Sequence, residues 1–379
     1  MIRLLFSILL LLLSLLAVFR APTNFLWRTS VAVTEFPFIF LFACLLLLCS
    51  FYWAGNFRIA SAIFTSAAFI LFSLPVITAY QRASGLGAEL DAEFKTGGLN
   101  DPLATPFSFF KMFSGIGLKQ VAYKTIPYKK TDAGKELTFD YYPSSLPGNS
   151  PVVIMIHGGS WAEGDSRQLP DLNSYLASRG YNVAAINYRL APAFQNPAPV
   201  EDTKSVMDFI VKNQDELKAD TFNFVLAGRS AGGQIALLAA YTLNDPKIKG
   251  VISFYAPADM VWGAQVKTNK WVLDVDRVLS DYIGGSYKTV PDKYKASSPI
   301  EFITPRSVPT LLIHGKNDAM VSYMHTEHMR EKLKANGVKY FVLDLPLATH
   351  GCDYNISGPS GQLSTYVTER FLHSVTSRN

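Results

Sequence analysis

The sequence predicts an α/β protein, a mostly parallel sheet flanked by helices and preceded by about three transmembrane helices. Two observations lead there. From residue 118 onward, segments rich in β-branched and aromatic residues alternate with helical patterns, as expected of parallel strands joined by crossover helices. Ahead of them, three long apolar stretches follow one another almost without charge.

Those stretches are Leu4–Phe19, Phe36–Trp53 and Ile59–Tyr80. The second and third hold no charged residue, and their lengths approach the roughly 20 residues that cross a bilayer as a helix. Trp27, Tyr52, Trp53 and Tyr80 fall at their ends, where amphipathic rings settle at headgroup level. The short turn Ala54–Arg58 makes the last two a helical hairpin. Pro75 is tolerated in a membrane helix more readily than in a soluble one. A cleaved leader is the alternative for the first stretch, although Ala17–Arg20 is a poor cleavage site. A hydrophobic oligomerisation region is the alternative for all three. The expected organisation is a membrane-anchoring region over 1–82 (helices about 4–19, 36–53 and 59–80), a linker or cap segment over 83–117, and an α/β domain over 118–379. Gly97-Gly98 and Pro102 punctuate the linker. Within it, Phe107–Phe113 is too short to span and reads as interfacial, as cover for a site, or as packing surface.

The expected localisation is therefore a multi-pass membrane protein. The side of the α/β domain stays open: Arg20, Arg28 and Arg82 favour one orientation by the positive-inside rule, and Arg3 ahead of a leucine run favours the other. Residues 1–82 hold five basic residues and one acidic one, leaving 30 basic and 29 acidic of the chain's 35 and 30 for the rest. The net charge of +5 thus comes mostly from the apolar end, which argues against a nucleic-acid partner. Cys44, Cys49 and Cys352 imply no disulfide framework and no metal site.

Strands are predicted over 120–128, 137–142, 151–156, 181–187, 223–228, 248–254, 309–314 and 339–345, with helices near 167–179, 200–214, 231–243, 324–336 and 361–374. Val152–Ile156 and Leu311–Ile313 are uninterrupted apolar runs, as in strands covered on both faces. No helix separates the first two strands, which predicts an antiparallel start. Pro257–Pro299, with Trp262, Trp271 and Tyr282, is longer than a connector and reads as a lid or acyl pocket.

Gly228-Arg229-Ser230-Ala231-Gly232 matches G-x-S-x-G between a predicted strand and a predicted helix. That turn is so sharp that small neighbours are required, and it leaves the serine oxygen exposed at its tip. His157-Gly158-Gly159-Ser160-Trp161 follows an earlier strand. The N–H groups of Gly158 and Gly159, with that of Ala231, are the expected oxyanion hole; a tight turn alone would also explain two glycines. A serine needs a base, and the base an orienting acid. Of six histidines, His350 follows the last predicted strand, while His325 and His328 read as a solvated helix face. Asp318 follows the preceding strand, and the order Ser230, Asp318, His350 suits a nucleophile, acid and base. Asp353 is the alternative acid.

Together these residues resemble the hormone-sensitive-lipase-like and kynurenine-formamidase-like carboxylesterase branch of the α/β-hydrolases, over roughly residues 120–375. The resemblance rests on HGGSW, GRSAGG, HGKNDAMV and THG, and on Asn187–Pro192 followed by Pro197–Asp202. It implies the α/β-hydrolase fold, and a tyrosine-arginine stretch that braces the oxyanion loop. Two departures stand out: Ser160 replaces a third glycine, and Arg229 replaces a smaller or acidic neighbour of the nucleophile. Membrane segments in isoprenylcysteine-methylesterase-like and arylacetamide-deacetylase-like relatives suggest a lipophilic substrate by analogy. The expectation is a serine esterase acting on a small-molecule or lipid ester with no cofactor and no metal. An amidase or formamidase with the same residues, a serine peptidase of related fold, and a non-catalytic membrane adaptor are the alternatives; oligomeric state is not legible.

Overall fold

The computed structural model describes residues 1–53, 56–94, 105–131, 134 and 136–376. The Gly97-Gly98 and Pro102 punctuation lies outside the described residues. Among the described residues eight strands form one sheet: β1 (Lys124–Lys130), β2 (Glu136–Tyr142), β3 (Ser150–Ile156), β4 (Asn182–Ile186), β5 (Ala219–Arg229), β6 (Ile248–Phe254), β7 (Thr310–Gly315) and β8 (Tyr340–Leu345). Their order is β1-β2-β4-β3-β5-β6-β7-β8. β1 pairs antiparallel with β2, and β2 with β4. The pairs from β4 through β8 are all parallel. Val152–Ile156 is buried throughout, with residues alternating between two cores on opposite sheet faces: Val152, Ile154 and Ile156 in one, Val153 and Met155 in the other. This is why the run carries no polar alternation.

The N-terminal region holds four helices: α1 (Ile2–Ser14), α2 (Asn24–Glu35), α3 (Pro37–Cys49) and α4 (Arg58–Ala83). Three transmembrane helices are not what forms. α1 and α3 have 13 residues each, about 20 Å at helical rise, short of a hydrocarbon core of about 30 Å. Among the described residues only α4, with 26, is long and apolar enough alone; α2 and α3 qualify only as one pair bent by 79°. The expectation failed at Pro37. A proline pushes the preceding residue out of the helical region, and Phe36 sits at φ −126°, ψ 43°. The apolar run from 36 therefore starts a new helix at a corner, and the segment before it, outside the three apolar stretches, is α2.

α4 is patterned inside out. Its buried positions are Ser61, Thr65, Ala68, Phe72, Pro75 and Ala79, whereas Ile59, Ile63, Ile70 and Ile77 are exposed. The buried hydroxyls are satisfied across the seam with α1: Ser7 and Ser61 Oγ lie 2.5 Å apart, and Thr65 donates to Ser7 Oγ at 3.0 Å. α5 (Leu86–Phe94) lies in the stretch expected as linker and buries Leu86, Leu90 and Phe94 in the same core as β7 and β8. After α6 (Lys111–Ser114), the layers on the sheet are α7 (Pro170–Ser178), α8 (Ala198–Lys212), α9 (Gln214–Leu217), α10 (Ala231–Thr242), α14 (Met324–Ala335) and α15 (Pro359–Thr376), with α11 (Met260–Gly263), α12 (Val275–Ile283) and α13 (Pro291–Ala296) in the insertion after β6.

Candidate active site

Ser230 stands between the end of β5 and the start of α10 with φ +52°, ψ −119°, a conformation non-glycine residues rarely hold without compensating structure. Its neighbours explain the motif. A Cβ on Gly228 would meet the carbonyl of Gly232 at 2.2 Å, and one on Gly232 would meet that of Ile156 at 2.2 Å. Only glycine fits at either place, and the turn can be this tight only because both are glycine.

Three residues far apart in sequence converge here. His350 Nε2 lies 3.0 Å from Ser230 Oγ, and His350 Nδ1 lies 2.7 Å from Asp318 Oδ2. Burial alone raises the Asp318 carboxyl, but the His350 and His314 imidazoles outweigh it and hold it below the usual carboxylate range. An ionised carboxylate only accepts hydrogen bonds, so Nδ1 of His350 carries the proton and Nε2 is left to accept from the serine. The other Asp318 oxygen takes the N–H groups of Met320 and Val321 at 2.8 and 2.9 Å. His314, the first residue of the HGKNDAMV run, also donates to Asp318 Oδ2, at 3.2 Å.

Asp353, the alternative acid, is engaged elsewhere. It accepts from Arg229 Nε, and from Tyr255 Oη at 2.6 Å. The bulky Arg229 therefore does not place free charge beside Ser230; it forms a buried ion pair behind the histidine, whose ring packs on Tyr255 at 4.5 Å.

Among the three expected oxyanion donors, Gly158 differs. Its N–H donates to Gln168 Oε1 at 2.7 Å. The N–H groups of Gly159 and Ala231 have no acceptor among the described residues. The loop itself is braced: Tyr188 Oη donates to the His157 carbonyl at 3.1 Å, and the Ala191 N–H donates to that of Trp161 at 2.9 Å. Arg189 is locked to Asp202 and Glu201. His157 donates from Nδ1 to the Gly158 carbonyl at 2.7 Å, and burial lowers its pKa to about 4, so it stays neutral.

Two cavities meet at Ser230. A small one, about 70 Å³, is walled mainly by the insertion after β6, including Met260, Trp262, Val278 and Leu279. His325 also lines it. That residue is buried rather than solvated, because the inner face of α14 runs His325, Met329 and Leu333. The larger cavity, about 650 Å³, is lined by His350 and Gly351 and also by Trp27, Arg28, Val31, Ala32 and Phe36 of the N-terminal region. Sequence reasoning missed this second wall entirely. Nothing in residues 24–36 marks them as neighbours of a residue more than 300 positions away.

Strand order and elbow geometry together define an α/β-hydrolase. A Thermogutta terrifontis esterase with bound propionate superposes at TM-score 0.56 with 20% identity, covering 68% of this chain and 97% of that one. A carbohydrate esterase from gut microbiota gives 0.55 with 19% identity, over 67% and 98%. The BD-FAE family profile matches residues 140–333, just over half of the chain, and the chain belongs to that family. The match includes Ser230 and Asp318 and ends before His350. Among curated proteins, Esterase LipC of Mycobacterium tuberculosis is 29% identical over 243 residues, 60% of this chain and 59% of LipC. A kynurenine formamidase of Meyerozyma guilliermondii is 26% identical over 210 residues, 51% of this chain and 75% of the enzyme. The chain spans under two thirds of the length of LipC and of the mycobacterial esterases LipM and LipQ.

Proposed function

We propose that this chain hydrolyses carboxylic esters through an acyl-enzyme on Ser230. The observation that carries this reading is the unbroken chain of contacts from Ser230 Oγ through His350 to an ionised, buried Asp318. His350 Nε2 takes the serine proton as Oγ attacks the ester carbonyl. The oxyanion forms against the N–H groups of Gly159 and Ala231, while the Gly158 N–H holds the loop through Gln168. As the intermediate collapses the bond to the alkoxy oxygen breaks, and His350 returns its proton to that oxygen. His350 then deprotonates a water, which attacks the acyl carbon, releasing the acid and restoring Ser230.

The small cavity takes the acyl group. At about 70 Å³ it is well under the roughly 150 Å³ apolar cavity that admits benzene, which suits short aliphatic chains. With p-nitrophenyl esters, kcat/KM is expected to be highest for acetate to butyrate and at least tenfold lower for octanoate. Ser230→Ala is expected to remove the activity. Retention of hydrolysis by that variant, or preference for long chains, would overturn the reading. Aryl formamides, included because of the formamidase relative, are expected to react at least tenfold more slowly than matched esters; the reverse order would make the chain a formamidase.

The N-terminal helices belong, on the same proposal, to a membrane. The pattern of α4 supports it: a helix in water buries its large apolar residues, whereas membrane helices pack through small and hydroxyl residues, as Ser61, Thr65 and Ala68 do here. Exposed Phe42, Leu45 and Leu46 of α3 and Leu5, Leu9 and Leu12 of α1 extend that surface.

A further inference from the structure

We infer that α2 is the specificity wall for the leaving group, and that the alcohol it receives is bulky and largely apolar. The inference rests on the Ser230 ester-hydrolase reading and extends it to the alcohol side. His350 must protonate the departing oxygen, so the alcohol lies on the side of Ser230 that His350 lines. That side is the large cavity, which His350 and Gly351 border; the small cavity is not bordered by His350. The part of this cavity's wall that α2 and its corner supply is Asn24, Trp27, Arg28, Val31, Ala32 and Phe36, apolar except for Asn24 and Arg28.

α2 and the segment leading into it are held in that place by contacts with the histidine loop, the acid loop and the insertion after β6. Trp27 Nε1–H donates to the His350 carbonyl at 2.9 Å. Arg20 Nη2 donates to the Lys316 carbonyl at 3.1 Å, two residues before Asp318. Asn24 Nδ2 donates to the Val272 carbonyl at 3.2 Å, and its N–H to that of Trp271 at 2.9 Å, both in the insertion that walls the acyl side. Asn355 Nδ2 closes the far end on the Glu35 carbonyl at 2.8 Å. A helix tied at one end to the acyl wall and the histidine loop and at the other to Asn355, with its lead-in tied to the acid loop, is a rigid surface that a ligand can measure. It also ends at Glu35, and the corner residue Phe36, which lines the cavity, leads directly into the apolar α3. An apolar alcohol leaves water on both counts.

The test holds the acyl group constant and varies the alcohol, using the full chain in mixed detergent micelles with ethyl butyrate and decyl butyrate. The series Ala32→Val, Ala32→Leu and Ala32→Phe narrows the wall in steps. The ratio of decyl butyrate to ethyl butyrate kcat/KM is expected to fall progressively, at least tenfold by phenylalanine. An Ala32 series that leaves both esters unchanged, or lowers both together from the valine step onward, would overturn the inference, as would a changed preference for acyl length with ethanol as the constant alcohol. Ser230→Ala is assayed alongside. Loss of both esters there leaves the Ala32 result to speak for the wall alone, whereas retained hydrolysis would mean that the Ser230 reading itself has failed.

Discussion

At Ser230 the backbone sits at φ +52°, and the cost of that strain is borne by neighbours whose identities are fixed by distance: Gly228, Gly232, and the pair Gly158 and Gly159, where a Cβ on Gly158 would come within 3.0 Å of the Arg229 carbonyl. Residues of this kind were legible because chemistry and sterics both constrain them, and the same holds for His350 and Asp318, each placed just after a strand end. His314, Gln168 and Tyr255 were not legible. Their roles depend on which side chain a loop turns toward, and no spacing encodes that. His157 yields a prediction at this scale. Burial lowers its pKa from 6.5 to about 4, so between those values the unfolded chain binds a proton that the folded chain refuses. Stability therefore declines as pH falls below 6.5, by about 2 kcal/mol at pH 5 from this group. His157→Gln is expected to flatten the loss of melting temperature between pH 7.5 and 5; an unchanged slope would show that His157 takes up its proton while folded.

Elements divide in the same way. The strands and the helices on the sheet follow from uninterrupted apolar runs bounded by turn residues, and each β-strand lies close to its expected place. The N-terminal helices do not, because hydropathy counts apolar residues without regard to direction. Phe36-Pro37 turns the chain through 79°, and the polar-looking segment before it is a helix packed beside His350. The inside-out order of α4 carries a prediction of its own. Ser61 is buried against Ser7 of α1, so Ser61→Leu overfills that seam and is expected to destabilise the full chain in detergent by about 1–3 kcal/mol. Ile63→Leu, on the exposed face, is expected to leave the melting temperature within a degree or two. Equal effects from both would show that α4 does not pack through its small residues.

For the molecule as a whole, the cavity at Ser230 is lined both from the apolar N-terminal region and from the domain that follows it. Charge and apolar content separate residues 1–82 from the rest, yet the structure joins them where Trp27 meets His350 and Arg20 meets the Asp318 loop. Composition reports what a segment is made of, not what it is packed against, and only the three-dimensional path of α2 reveals the connection. The central claim is that Ser230 is the nucleophile of this combined site. It is tested most directly by treating the full chain with a fluorophosphonate and locating the adduct by peptide mass spectrometry, with residual ester hydrolysis measured in parallel. One adduct per chain is expected, on Ser230, with loss of hydrolysis in proportion to labelling. Labelling at another residue, or hydrolysis that persists in fully labelled protein, would contradict it.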